Sequence, residues 1–160
     1  TAPMGIYSKS RKSLSEVKEG DRFTLPNDPS NLARALLLLQ ENKVITVKAE
    51  VDPLRVTEKD IASNPKKIRL QPVEAAQLPR TVGDAEFAIV PGNFAIASGL
   101  KLTSAVALEN PPVQFQQVVA IRRADQDKPW AKDLAAAFKS SFFKAVLDKD
   151  FPGYVRPAGL

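Results

Sequence analysis

The stretch FTLPNDPSNLARALLLLQE, running from Phe23 to Glu41, decides how the rest of the chain is read. It opens as a short strand, passes through a turn of Asn, Asp and Pro, and continues into a strongly apolar helix. Asp28 is placed to cap that helix and Pro29 to begin it, because the first helical positions have no use for the N–H that proline lacks. Leu32, Ala33, Leu36, Leu37 and Leu39 follow, with Ala35 and Leu38 filling other faces. An apolar surface almost all the way round belongs to a helix packed on several sides. One charge, Arg34, stands inside it. Open N–H groups at a helix start and a nearby guanidinium together make a seat for a carboxylate or phosphate. The alternative is that Arg34 reaches solvent or pairs with a local acid, and the pattern leaves both readings standing.

Around this stretch the chain has 160 residues, enough for one domain or two small lobes with a real core. At 44% hydrophobic and 26% charged residues, its composition is that of a folded globular protein and argues against disorder. No window approaches the ~18 uninterrupted apolar residues of a membrane helix. The net charge is +5. The densest basic groups, Lys9–Lys12, Lys66–Arg69 and Arg122–Arg123, lack the interleaved aromatics that would stack on bases, so no nucleic-acid partner is expected. Cys and His are both absent. That excludes thiol nucleophiles, Ser-His-acid triads, Cys/His zinc sites and disulfides, and no metal or cofactor is expected. Paired acids such as Glu58/Asp60 and Asp148/Asp150 read as exposed helix neighbours, so no enzymatic activity is expected either. The sequence starts at Thr1 with no signal peptide in it, and its address is not read from a leader.

In chain order, Ala2–Tyr7 reads as an extended segment, and Ser13–Gly20 as one or two helical turns ended by glycine. Arg22–Leu25 is the strand that enters the central turn. The β-branched run Val44–Ala49 predicts a short strand, and Thr57–Ala62 a helix with Thr57 as its cap. Lys67–Val73 alternates apolar and polar residues as a half-buried strand does. Glu74–Leu78 follows as a helical turn. Asp84–Val90 reads as a buried strand, and Pro91-Gly92-Asn93 turns it into a helix over Phe94–Ser98. This repeats the strand–turn–helix design of the opening stretch, with Asn93 at the mouth either as a helix cap or as a ligand contact. Val106–Glu109 is a further short strand. Phe115–Arg122 carries the strongest strand pattern of the chain, and Pro129 to about Lys149 is helical with a kink near Ser140-Ser141. Phe151–Leu160 is an irregular tail. Alternating strands and helices predict an α/β fold with ligands at strand C-terminal ends and helix starts, where Asn27, Arg34 and Asn93 lie. Pro91-Gly92-Asn93 has one glycine and matches no phosphate-binding loop.

Several of these segments together resemble one family. LPNDPSNLARALLLLQ (Leu25–Gln40) is similar to the signature of the methionine-binding lipoproteins, the NlpA/MetQ type of ABC-importer substrate-binding protein. EAAQLPR (Glu74–Arg80) followed by Asp84-Ala85, Asn93-Phe94-Ala95 at a helix start, and QVVAIR (Gln117–Arg122) resemble three further blocks in the family's order. The resemblance implies a periplasmic-binding-protein type II-like fold, with two lobes clamping the ligand in the cleft between them. Residues 1–9 would be an inter-lobe crossing, residues 10–112 the complete second lobe, and residues 113–160 the return crossing strand and C-terminal helices of the first lobe. Most of the first lobe, including a His- and aromatic-containing stretch for the ligand's side chain, is expected to lie outside this sequence.

Carried over by position, Arg34 would bind the ligand's α-carboxylate. Asn93 would hydrogen-bond the amino-acid head group, Asn27 and Asn31 would shape the wall around it, and Gln117 would line the cleft. Family members usually have Asn where this chain has Gln117. Gln keeps the amide but adds a methylene, with about 0.8 kcal/mol of packing at stake and a shifted reach. The implied role is the extracytoplasmic solute-binding component of an ABC importer, anchored as a lipoprotein, with a methionine-like amino acid as ligand and the membrane permease as partner. The C-terminal helices would expose an apolar face, to be covered by self-association, by a separate chain or by rearrangement. A ligand-sensing effector domain, or a fragment without transport activity, is the alternative; no helix-turn-helix segment supports a transcriptional sensor.

Overall fold

The computed structural model describes residues 1–156, so the end of the expected irregular tail, residues 157–160, lies outside the described residues. The chain divides into two compact units, one formed by Pro3–Glu109 and the other by Thr1–Ala2 with the residues from Asn110 onward. The first contains β1 (Gly5–Tyr7), β2 (Arg22–Pro26), α1 (Pro29–Glu41), β3 (Thr46–Val47), β4 (Ile61–Ser63), β5 (Arg69–Val73), α2 (Leu78–Thr81), β6 (Phe87–Val90), α3 (Gly92–Ala97) and β7 (Ala107–Leu108). The second contains α4 (Pro129–Phe138) and α5 (Ser141–Asp150).

The five-stranded sheet of the first unit has the order β5-β2-β6-β1-β7. β2 runs parallel to both β5 and β6. β1 is antiparallel to its two neighbours, with Gly5 opposite Val90 on β6 and Leu108 on β7. Within residues 1–9, expected as an inter-lobe crossing, Gly5–Tyr7 form an interior strand with partners on both edges.

Sequence chemistry explains the dominant helix. The Asp28 carboxylate accepts from the Asn31 backbone N–H at 3.0 Å, and Pro29 occupies the first turn. At the other end Lys43 takes φ 59°, while Lys43 N–H donates to Gln40 O and Val44 N–H to Leu39 O, both at 2.9 Å. That is a Schellman closure with lysine at the position glycine usually fills.

Alternation along the strands sorts the core. Met4 and Ile6, Phe23 and Leu25, and Phe87 and Ile89 lie in one cluster with Leu32, Leu36 and Leu39 of α1. The intervening residues Thr24, Ala88 and Val90 are buried outside that cluster, and Thr24 Oγ1 meets Thr81 Oγ1 of α2 at 2.7 Å. α1 thus covers one face of the sheet and α2 the other, the layering of an α/β lobe.

Tyr7 stands apart from the α1 cluster. A Cβ added at Gly5 would come 2.7 Å from Tyr7 Cε2, so the missing side chain of Gly5 is what lets the ring lie there. The Tyr7 hydroxyl is buried with no hydrogen-bond partner among the described residues, and burial pushes the phenol up to about 12. The unfolded chain loses this proton near pH 10 and the folded chain does not. The contribution of Tyr7 to stability is therefore complete below about pH 10 and is lost as pH rises towards 12, by about 2–3 kcal/mol in total. A tyrosinate absorbance titration should show a late step that vanishes in Tyr7→Phe; a single step near the ordinary phenol value would contradict the burial argument.

Several local expectations change. Thr57–Ala62 is not a helix: Glu58–Asp60 make one 3-10 turn, boxed by Thr57 and Asp60, and the chain leaves it as β4 to pair antiparallel with β3. The hydrogen bonds from the Thr57 side chain and backbone hold the Asp60 carboxyl below its usual range. The predicted strand over Val44–Ala49 shrinks to Thr46–Val47.

In the second unit, Phe115–Arg122 is not a strand. Val113–Phe115 form a 3-10 turn, no ladder follows among the described residues, and Val118 and Val119 are 84% and 58% exposed. β-branched residues favour extended backbone, but a strand needs a neighbouring strand to ladder with, and none of the described strands pairs with this segment. The single kinked helix expected from Pro129 is two helices, because Ser140 Oγ accepts from Phe143 N–H at 3.1 Å and starts a new one. Phe138 and Phe143 pack edge to face across the break with centroids 5.0 Å apart. Trp130, Phe142 and Phe151 are exposed.

Candidate functional site

β2, β6 and β7 run in one direction and β1 runs against them. One end of the sheet therefore gathers the exits of β2, β6 and β7 and the entry of β1. Asn27 follows β2 directly, α1 starts two residues later, α3 starts just after β6, and Glu109 follows β7. Strand C-terminal ends and helix starts meet on this edge, the usual location of ligand sites in α/β sheets.

At this edge Arg34 is held by an acid of the same chain. Its Nε donates to Glu109 Oε1 at 2.9 Å and its Nη2 to Glu109 Oε2 at 2.5 Å. The side chains are 14% and 4% exposed, so the fork is largely withdrawn from water. Of the two readings of Arg34, pairing with an acid of the chain is what the fold realises, although that acid is 75 residues away rather than local. The physical reason is the sheet order: β7 closes against β1, and its last turn of backbone delivers Glu109 to the first turns of α1.

The network extends in both directions. Arg34 Nη1 donates to Asn31 Oδ1 at 3.2 Å, and Asn31 Nδ2 donates to both carboxylate oxygens of Asp28 at 3.1 Å. On the other side the Met4 backbone N–H donates to Glu109 Oε2 at 2.9 Å, and the Glu109 N–H donates to Met4 O at 2.8 Å. Asp28, Asn31, Arg34 and Glu109 thus form one chain of hydrogen bonds joining α1 to the β1–β7 pair. Asn31, expected as wall, also accepts from the guanidinium.

Asn27 and Asn93 are both exposed at the same sheet edge. Asn93 is the second residue of α3, whose N-cap is Pro91, so the helix-cap reading of its side chain is not what the fold uses. Asn27 also opens onto a hollow of about 200 Å³ lined by Pro29, Leu32, Leu54, Val56 and Thr57. Gln117 belongs to the other unit; its side chain is exposed and its backbone N–H donates to Thr1 Oγ1 at 3.0 Å. Glu109 is the residue that sequence reading missed. Its signal was a lone acid at the end of the apolar run Val106-Ala-Leu, just before Asn110-Pro-Pro.

The family described as NlpA lipoprotein matches residues 1–159. The chain belongs to the NlpA lipoprotein family. Among NlpA relatives, outer membrane lipoprotein 3 of Mannheimia haemolytica is 36% identical over 152 residues, a match that spans 94% of this chain and 57% of the relative. The D-methionine-binding lipoprotein MetQ of Salmonella typhi is 36% identical over 154 residues, spanning 94% of this chain and 56% of MetQ. A nutrient binding protein from Burkholderia cenocepacia, solved bound to methionine, superposes with a TM-score of 0.82 at 42% identity, covering 96% of this chain and 65% of that one. A periplasmic substrate-binding protein of an ABC transporter from Coxiella burnetii gives a TM-score of 0.82 at 38% identity, covering 98% and 66%.

The NlpA chain thus spans little more than half the length of the curated relatives it matches. Its α/β architecture is that of the periplasmic substrate-binding proteins, as the sequence implied. Among the described residues no helix is long and apolar enough to cross a membrane.

Proposed function

We propose that this chain is the ligand-binding portion of an extracytoplasmic solute-binding protein that serves an ABC importer. Its ligand is a methionine-like amino acid, its partner is the membrane permease, and it carries out no catalysis of its own. As in the family, a lipid anchor would hold it at the membrane. The observation that carries this reading is the 42% identity to a protein solved with methionine bound, over 96% of the present chain.

Arg34 is the group on which the ligand's α-carboxylate would dock. Its pairing with Glu109 does not remove it from that role. A guanidinium has five N–H donors and can serve one carboxylate along its Nε–Nη2 side and another at its Nη end. The Arg34–Glu109 pair carries no net charge, which suits a zwitterion better than an anion. Asn93 would hydrogen-bond the head group, and Asn27 and Asn31 would complete the wall. The extra methylene of Gln117 would make the fit differ from that of relatives with Asn there.

Isothermal titration of the full encoded chain with L- and D-methionine tests this. A saturable one-to-one heat with either isomer is expected. No heat with these or with any other amino acid would defeat the transport reading.

A further inference from the structure

We propose that Glu109 is a positioning residue for amino-acid binding, holding the guanidinium of Arg34 in the one orientation that meets the ligand's carboxylate. This inference rests on the ligand reading above. Glu109 itself is poorly placed to touch a ligand. Its side chain is 4% exposed, Oε1 accepts from Arg34 Nε, and Oε2 accepts from both Arg34 Nη2 and Met4 N–H. Three bonds nearly fill the acceptor capacity of a carboxylate, so Glu109 acts through Arg34.

The carboxylate is itself anchored, because its backbone N–H donates to Met4 O at 2.8 Å and the same residue's N–H grips Oε2. From the opposite side Asn31 accepts from Nη1, and Asn31 is held by Asp28. The planar fork is bracketed by acceptors from two separate elements, the first turn of α1 and the end of β7. An arginine left to rotate surrenders much side-chain freedom when it binds. One fixed in advance does not, and that difference appears as affinity.

The rival explanation is that the pair only ties α1 to the β1–β7 edge. A pair of ligands separates the two. L-methionine and methioninamide differ at the carboxylate, which the amide replaces with a neutral group, and Glu109→Gln and Glu109→Asp are titrated with both. Glu109→Gln should weaken methionine by at least about tenfold, with methioninamide changed by less than about twofold, so that the wild type's preference for the carboxylate collapses. Glu109→Asp, which keeps the charge but withdraws it by one methylene, should fall between. If circular dichroism shows Glu109→Gln unfolded, the same comparison on Glu109→Asp decides.

Equal losses for both ligands, or no loss for either, would overturn the positioning role while leaving the ligand reading intact. A wild-type chain that binds neither ligand would overturn the ligand reading, and this inference with it.

Discussion

Arg34→Met should lower the unfolding free energy by about 3–5 kcal/mol, read as a fall in the denaturant midpoint at unchanged slope. The effect does not measure the strength of the ion pair. It comes from Glu109, whose side chain is 4% exposed and would be left as a buried carboxylate without its bidentate partner. The Met4 N–H would remain its principal support. It follows that Arg34→Met combined with Glu109→Leu should recover most of the loss, because replacing both members of a buried pair with apolar groups is often close to neutral. A double variant no more stable than the single one would show that the destabilisation has another origin. Ligand affinity should not recover in the double variant, so stability and binding would separate at this site.

The second large effect belongs to the core. Phe23→Ala should cost about 3–5 kcal/mol, through lost transfer energy and the cavity left behind. Phe23 is fully buried, and its ring stacks on Phe87 with centroids 4.5 Å apart and planes 16° apart, next to the leucines of α1. The two rings sit opposite each other on the parallel strands β2 and β6, in the same cluster as the α1 leucines. Val118→Ala, at an 84% exposed position, should stay within about 0.5 kcal/mol. A Phe23→Ala protein that melts with the wild type would contradict the burial and stacking of this ring.

What could be read in advance followed the range of the interactions. The Asp28 cap, the Pro29 start and the leucine-rich body of α1 are written within a few residues of one another, and the helix emerges with those bounds. The strands around Arg22–Pro26, Arg69–Val73 and Phe87–Val90 carry their own alternation or apolar run. Phe115–Arg122 carries an equally good pattern and forms no ladder among the described residues, because a strand is a property of two segments and the pattern names only one. Thr57 and Asp60 gave a true capping box, but a box begins a turn without obliging it to lengthen, and β3 was the competing partner for the next residues. The Arg34–Glu109 pair was hidden for a related reason. Its separation of 75 residues closes only once β7 is known to lie against β1, and no local spacing announces that order. Asn31 illustrates the same limit at short range: the residue was visible, but its service to Arg34 depends on where the guanidinium is pulled.

Met4, one residue inside the start of the Pro3–Glu109 unit, and Glu109, its last residue, are hydrogen-bonded neighbours, so the polypeptide enters and leaves this body through a single doorway. A body of that kind can be lodged within another polypeptide, or have its termini joined and reopened elsewhere, with few residues needed to bridge the gap. Its architecture is that of a self-contained insert.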